Sequence, residues 1–102
     1  KDIKRIEAEL RNKRYKLTKD LKQQIETLEK NIHDSEKDIV LIEKELADPS
    51  IYSNPENVKN KNKLYNELKF SLEQMLEKWT ELQEELENIE SSIEKEFKEI
   101  AG

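Results

Sequence analysis

The sequence predicts an all-α fold: an antiparallel two-helix coiled-coil hairpin with a proline-containing turn. Three observations predict it. Both prolines, Pro49 and Pro55, fall in one short stretch near the middle of the chain. On either side of that stretch, apolar residues recur at helical spacing along a whole arm. Charged residues make up 42% of the chain and hydrophobic residues 33%, enough for a narrow seam between helices but not for a thick globular core. Disordered chains share low hydrophobicity and high charge, and the regular apolar period separates this sequence from them.

The first arm is expected over about residues 1–47. Ile3, Ile6, Leu10 and Leu17 open its apolar face. Leu21, Ile25, Leu28, Ile32, Ser35, Ile39, Ile42 and Leu46 continue it in alternating steps of four and three, the signature of a two-helix seam. Lys13, Leu17, Leu21 and Ile25 follow one another in steps of four. Such a stutter disturbs a supercoil locally and predicts a helix irregularity near residues 17–21: a kink, a short 3₁₀ turn or an unwound seam.

The turn is expected over residues 48–54. Neither proline can donate a backbone hydrogen bond, and each pushes the residue before it out of helical geometry. Asn54 before Pro55 reads as an N-cap followed by proline at the first helical position. Asp48 before Pro49 repeats the signal and predicts a single turn over Pro49–Tyr52.

The second arm, about residues 55–101, is more regular. Its seam runs Val58, Lys61, Tyr65, Leu68, Leu72, Met75, Trp79, Leu82, Leu86, Ile89, Ile93, Glu96 and Ile100. Folding at the turn sets Leu46 against Val58, Ile39 against Tyr65, Ile25 against Trp79 and Ile6 against Phe97. Charge favours the same pairing. Residues 1–22 hold nine basic and four acidic side chains, and residues 71–102 hold three basic and ten acidic. Antiparallel folding lays these stretches side by side and penalises the parallel alternative. The formal net charge of −5 therefore hides a basic region.

Composition also excludes functions. There is no cysteine, hence no disulfide framework, thiol nucleophile or cysteine metal site. His33, the single histidine, stands within helical reach of Glu29 and Glu36, but one imidazole without cysteine is a poor start for a metal centre. The only glycine is Gly102, so a glycine-rich phosphate loop is ruled out. A two-helix seam offers no pocket for a catalytic carboxylate pair, and the chain is expected not to be an enzyme. No run resembles a membrane span or a signal peptide, and a soluble, cytoplasmic location is expected. The lack of an initiating Met suggests a piece of a larger protein.

Three surface features are candidates for function. Lys4, Arg11, Tyr15, Lys19 and Lys22 recur with Ala8 on the outer face of the first arm, where cations around an aromatic suit a phosphate backbone with exposed bases. The bland alternative is a solvated face neutralised by the acidic arm. Lys59, Lys61, Lys63 and Lys69 stand among asparagines at the tip, an arrangement that suits nucleic acid or simply a soluble helix start. Val40, Leu41 and Phe70 project away from the seam and are candidates for docking a partner, unless Ile51 and Tyr52 fold back over them.

Leu46-Ala47-Asp48-Pro49, Tyr52, Pro55-Glu56 and Glu77-Lys78-Trp79 with Leu82 together resemble the C-terminal coiled-coil domain of ABC-F proteins, the Uup-type tandem ATP-binding-cassette family. Arg5-Ile6-Glu7-Ala8-Glu9-Leu10-Arg11, Leu21, Ile25, Leu28-Glu29 and Ile32 resemble the first helix of that domain. Many relatives carry a proline where this chain has Asp20, so a sharp break is not required here. The resemblance implies that ATP and Mg belong to cassette modules upstream of this piece. It implies a non-catalytic appendage of a ribosome-associated or nucleic-acid-associated ATPase, with DNA, ribosomal RNA or tRNA and its own cassette modules as partners. Two alternatives compete. One is a purely structural coiled coil that docks on those modules or self-associates. The other is the helical first domain of a peptide-chain release factor, which carries a similar Asp-Pro…Pro-Glu turn.

Overall fold

A computed structural model describes residues 2–101; Lys1, counted above in the basic stretch, and Gly102 lie outside them. Two α-helices, α1 (Asp2–Ala47) and α2 (Pro55–Ala101), flank a 3₁₀ turn over Pro49–Ser53. Among the described residues there is no strand, and no helix is long and apolar enough to cross a membrane. Cross-helix ion pairs join position 13 to 96, 14 to 90 and 45 to 61, the descending order of an antiparallel hairpin.

Local chemistry stops α1 where it does. Asp48 is extended (φ −78°, ψ 119°), as a residue before proline must be. Its carboxylate accepts a hydrogen bond from the Ser50 backbone N–H at 3.0 Å. That bond, with a further one from the Ser50 side chain, holds the Asp48 carboxyl below its ordinary pKa. The Tyr52 hydroxyl donates to the Leu46 carbonyl at 2.7 Å, satisfying one of the acceptors that a helix end leaves open. Asn54 is extended in turn, and its side-chain oxygen caps α2 by accepting from the Asn57 N–H at 3.2 Å.

The chain divides into two compact units. One joins the residues up to Thr27 with those from Trp79 onward; the other runs Leu28–Lys78 and contains the turn. In the first, Leu10, Thr18, Leu21 and Ile25 of α1 and Leu82 and Ile93 of α2 are buried. In the second, the buried residues are Ile32, Ser35, Ile39 and Ile42, all on α1. Each well-buried aliphatic side chain contributes roughly 1.5–3 kcal/mol.

The irregularity expected near residues 17–21 takes another form. No 3₁₀ turn interrupts α1, which is α-helical throughout. The seam shifts instead: Leu17 is 47% exposed, and Thr18 beside it is only 2% exposed. The Thr18 hydroxyl donates to the Arg14 carbonyl at 2.7 Å, so this polar residue is buried without an orphaned group. With no proline at position 20, the helix absorbs the extra partial turn by rotating its inward face. Upstream of the shift, Ile3 and Ile6 are exposed rather than in the seam, so Ile6 does not bury against Phe97. Trp79 is half-buried, at the seam but not enclosed by it.

Candidate nucleic-acid interface

In the first unit, Lys4, Arg11, Tyr15, Lys19 and Lys22 are all exposed on α1. Tyr15 is 61% exposed, and the Lys19 ammonium stands over its ring, 5.5 Å from the centroid. A shallow groove runs along this face, lined by Arg11, Arg14, Tyr15, Thr18, Lys19 and Lys22, with Gln23 and Glu26 at one end. The lysine covers one face of the ring in the cation–π manner.

Glutamates of the acidic arm pair with cations of this stretch of α1. Lys13 donates to both Glu96 carboxylate oxygens, at 3.1 and 3.3 Å. Glu90 Oε1 lies 3.5 Å from Arg14 Nη2 and 3.5 Å from Lys22 Nζ. Lys22, expected to point away from the seam, thus turns toward α2. Arg14 and Glu90 were not among the candidate residues. The seam shift explains both: once Thr18 replaces Leu17 as the buried residue, Arg14, one turn earlier, comes to the seam edge within reach of α2. The run Leu10, Arg14, Thr18, Leu21 carries that signal in the sequence.

The tip lysines do not form one cluster. Lys61 occupies a seam position, is half-buried and pairs with Glu45. Lys69 stands 5.0 Å from the centroid of the Tyr65 ring. Hydrogen bonding to the Tyr65 hydroxyl, with lesser attraction from Glu43 and Glu73, raises its pKa above the ordinary lysine value. The Tyr65 hydroxyl itself donates to Glu43 at 3.4 Å. Lys59 and Lys63 are exposed.

Val40, Leu41 and Phe70 are exposed off the seam. Val40 and Leu41 line a shallow groove on α1 with His33, Glu36, Lys37 and Asp38. Ile51 is half-buried, while Tyr52 is exposed with its hydroxyl on the end of α1; Val40 and Leu41 stay open to solvent. Leu64 and Leu76 are exposed as well, although the sequence pattern singled out neither. Among the described residues no three potential metal ligands cluster.

The fold is a helical hairpin whose described charged and apolar candidates, half-buried Lys61 apart, lie on exposed helix faces. Residues 16–84 match the ABC transporter C-terminal domain, and the chain belongs to that family. The match spans the turn and reaches past Trp79. It sides with the ATP-binding-cassette resemblance over the release-factor one. Lys19, Lys22 and the tip lie inside the matched residues, whereas Lys4, Arg11, Tyr15 and Glu90 lie outside them. No curated protein matches the chain, and no solved structure does.

Proposed function

We propose that this hairpin is a non-catalytic C-terminal appendage of a cytoplasmic ABC-F-type ATPase, and that it contacts nucleic acid through the basic face of its first unit. The observation that carries the reading is the Arg11–Tyr15–Lys19 face: an exposed aromatic ring flanked by exposed cations one helical turn away on either side. Cations there would follow the phosphates, and the ring would stack exposed bases. DNA, ribosomal RNA and tRNA all offer that chemistry. ATP and Mg would bind the cassette modules; with Gly102 as its one glycine, this chain has no phosphate loop to hold them.

Fluorescence anisotropy titrations with single-stranded and duplex oligonucleotides test the reading. Affinity should be modest, largely independent of sequence and steeply weakened by salt. Tyr15→Ala should weaken single-stranded ligands more than duplex, because only unpaired bases can stack on the ring. Absence of binding to either at low salt would overturn it. A second reading is docking on the cassette modules or on another copy, favoured by the exposure of Val40, Leu41 and Phe70.

A further inference from the structure

Arg14 and Lys22 start eight residues apart on α1, about 12 Å along the helix axis. Their cationic groups nevertheless come to the same carboxylate oxygen of Glu90, each at 3.5 Å. Two cations converging on one oxygen is the arrangement that holds a phosphate. Both also border the groove that carries Tyr15 and Lys19. The three side chains involved are a third to a half exposed, so an incoming anion can reach them and exchange with the carboxylate.

We propose that Glu90 is a built-in competitor of the nucleic-acid backbone: it occupies the position where a phosphate would bridge Arg14 and Lys22, and so limits how tightly the groove binds. The inference rests on the nucleic-acid reading of this face and adds its regulation. With Glu90 in place, the first contacts fall to Arg11 and Lys19, with a base on Tyr15. Displacing Glu90 adds two phosphate contacts to the same strand. Glu96 holds Lys13, and neither lines the groove.

The test compares E90Q with E94Q. Both remove one negative charge from α2, but Glu94 pairs with Lys98 on its own helix and does not line the groove. Binding of a short oligo(dT) and its oligo(U) counterpart is measured across a salt series; the two probes separate DNA from RNA preference. Two further cations neutralising phosphates steepen the salt slope by about 1.4 for a single strand. The affinity ratio of E90Q to E94Q should then grow roughly sevenfold as salt falls from about 200 to about 50 mM. Adding R14Q and K22Q to E90Q should return the slope to that of E94Q, and thermal melts by circular dichroism check that each variant is folded. If the native chain binds and E90Q follows E94Q at every salt concentration, Glu90 is no competitor, while the nucleic-acid reading stands. If neither the native chain nor E90Q binds either strand at low salt, the nucleic-acid reading itself falls.

Discussion

The two units of the chain are built from the same two helices but bury them differently. Both residues of α2 that are buried, Leu82 and Ile93, belong to the first unit. In the second unit the α2 side of the seam is half-buried throughout: Val58, Lys61, Tyr65, Leu68, Leu72 and Met75. There, long polar-tipped side chains lie along the seam and send their heads to its edge, Lys61 to Glu45 and Tyr65 to Glu43. In the first unit, Leu82 and Ile93 are buried among half-buried Trp79, Leu86 and Ile89, and ion pairs close the rim. One repeating pattern of apolar positions thus yields buried α2 side chains in one half and only half-buried ones in the other. The identity of the side chain at each position decides which.

The largest effect that would break this contrast comes from the seam itself. Leu82 and Ile93 are 5% and 3% exposed. Truncating either to Ala should cost about 2–5 kcal/mol, toward the lower end in so thin a core. Leu68→Ala, at a half-buried position, should cost less than that range. Chemical denaturation of the three variants measures the difference; equal losses would remove the distinction between the units.

Surface charge gives the next effect. Arg11→Glu with Lys19→Glu should weaken oligonucleotide binding and flatten its salt dependence by roughly 0.7 per lost phosphate contact on a single strand. The same reversal at Lys59 and Lys63 should weaken it less, because Tyr65, the ring next to them on α2, is half-buried with its hydroxyl on Glu43. Anisotropy titrations of both double variants at matched salt make the comparison. An equal loss from the tip would move the interface into the second unit.

A smaller effect, of opposite sign, is expected at Ser35. Its hydroxyl is buried in the seam of the second unit with no hydrogen-bond partner. Ser35→Ala removes that unsatisfied group and improves helix propensity, and should stabilise the chain by about 1 kcal/mol. Thermal melts would show a raised midpoint; a lowered one would mean that the hydroxyl has a partner in solution.

The smallest effect is at the turn. The folded pKa of Asp48 is depressed by its bonds to Ser50, so its contribution to stability is present above the unfolded value near 3.8 and is lost as pH falls through the folded one. Asp48→Ala should therefore lower the melting midpoint at neutral pH, and the gap to the native chain should close in strong acid. A gap that persists there would assign the effect to something other than the carboxylate.

Much of the fold was legible because its signals are local. Asp48-Pro49 and Asn54-Pro55 fix the turn by steric rules that need no partner, and the caps follow from the same residues. The start of α1 was less legible. Whether Leu17 or Thr18 enters the seam depends on how the helix rotates against α2, and the step pattern marks the disturbance without choosing the face. The basic stripe was legible as a stripe, since its spacing is a property of one helix. Its division was not: Lys22 and Arg14 turn to Glu90, and Lys61 to Glu45, because of which carboxylate stands opposite in the hairpin. Leu64 and Leu76 were missed because each flanks a seam residue and shares no spacing with the other off-seam apolar side chains.

The central claim is that nucleic acid is contacted by the first unit, on the face of α1 around Tyr15. Amide chemical-shift mapping during an oligonucleotide titration at low salt tests it most directly. The account predicts perturbations concentrated between Arg11 and Gln23, with Glu90 responding across the seam and the region around Val40 and Leu41 unchanged. Shifts confined to the tip and the second unit, or no shifts at saturating oligonucleotide, would contradict it.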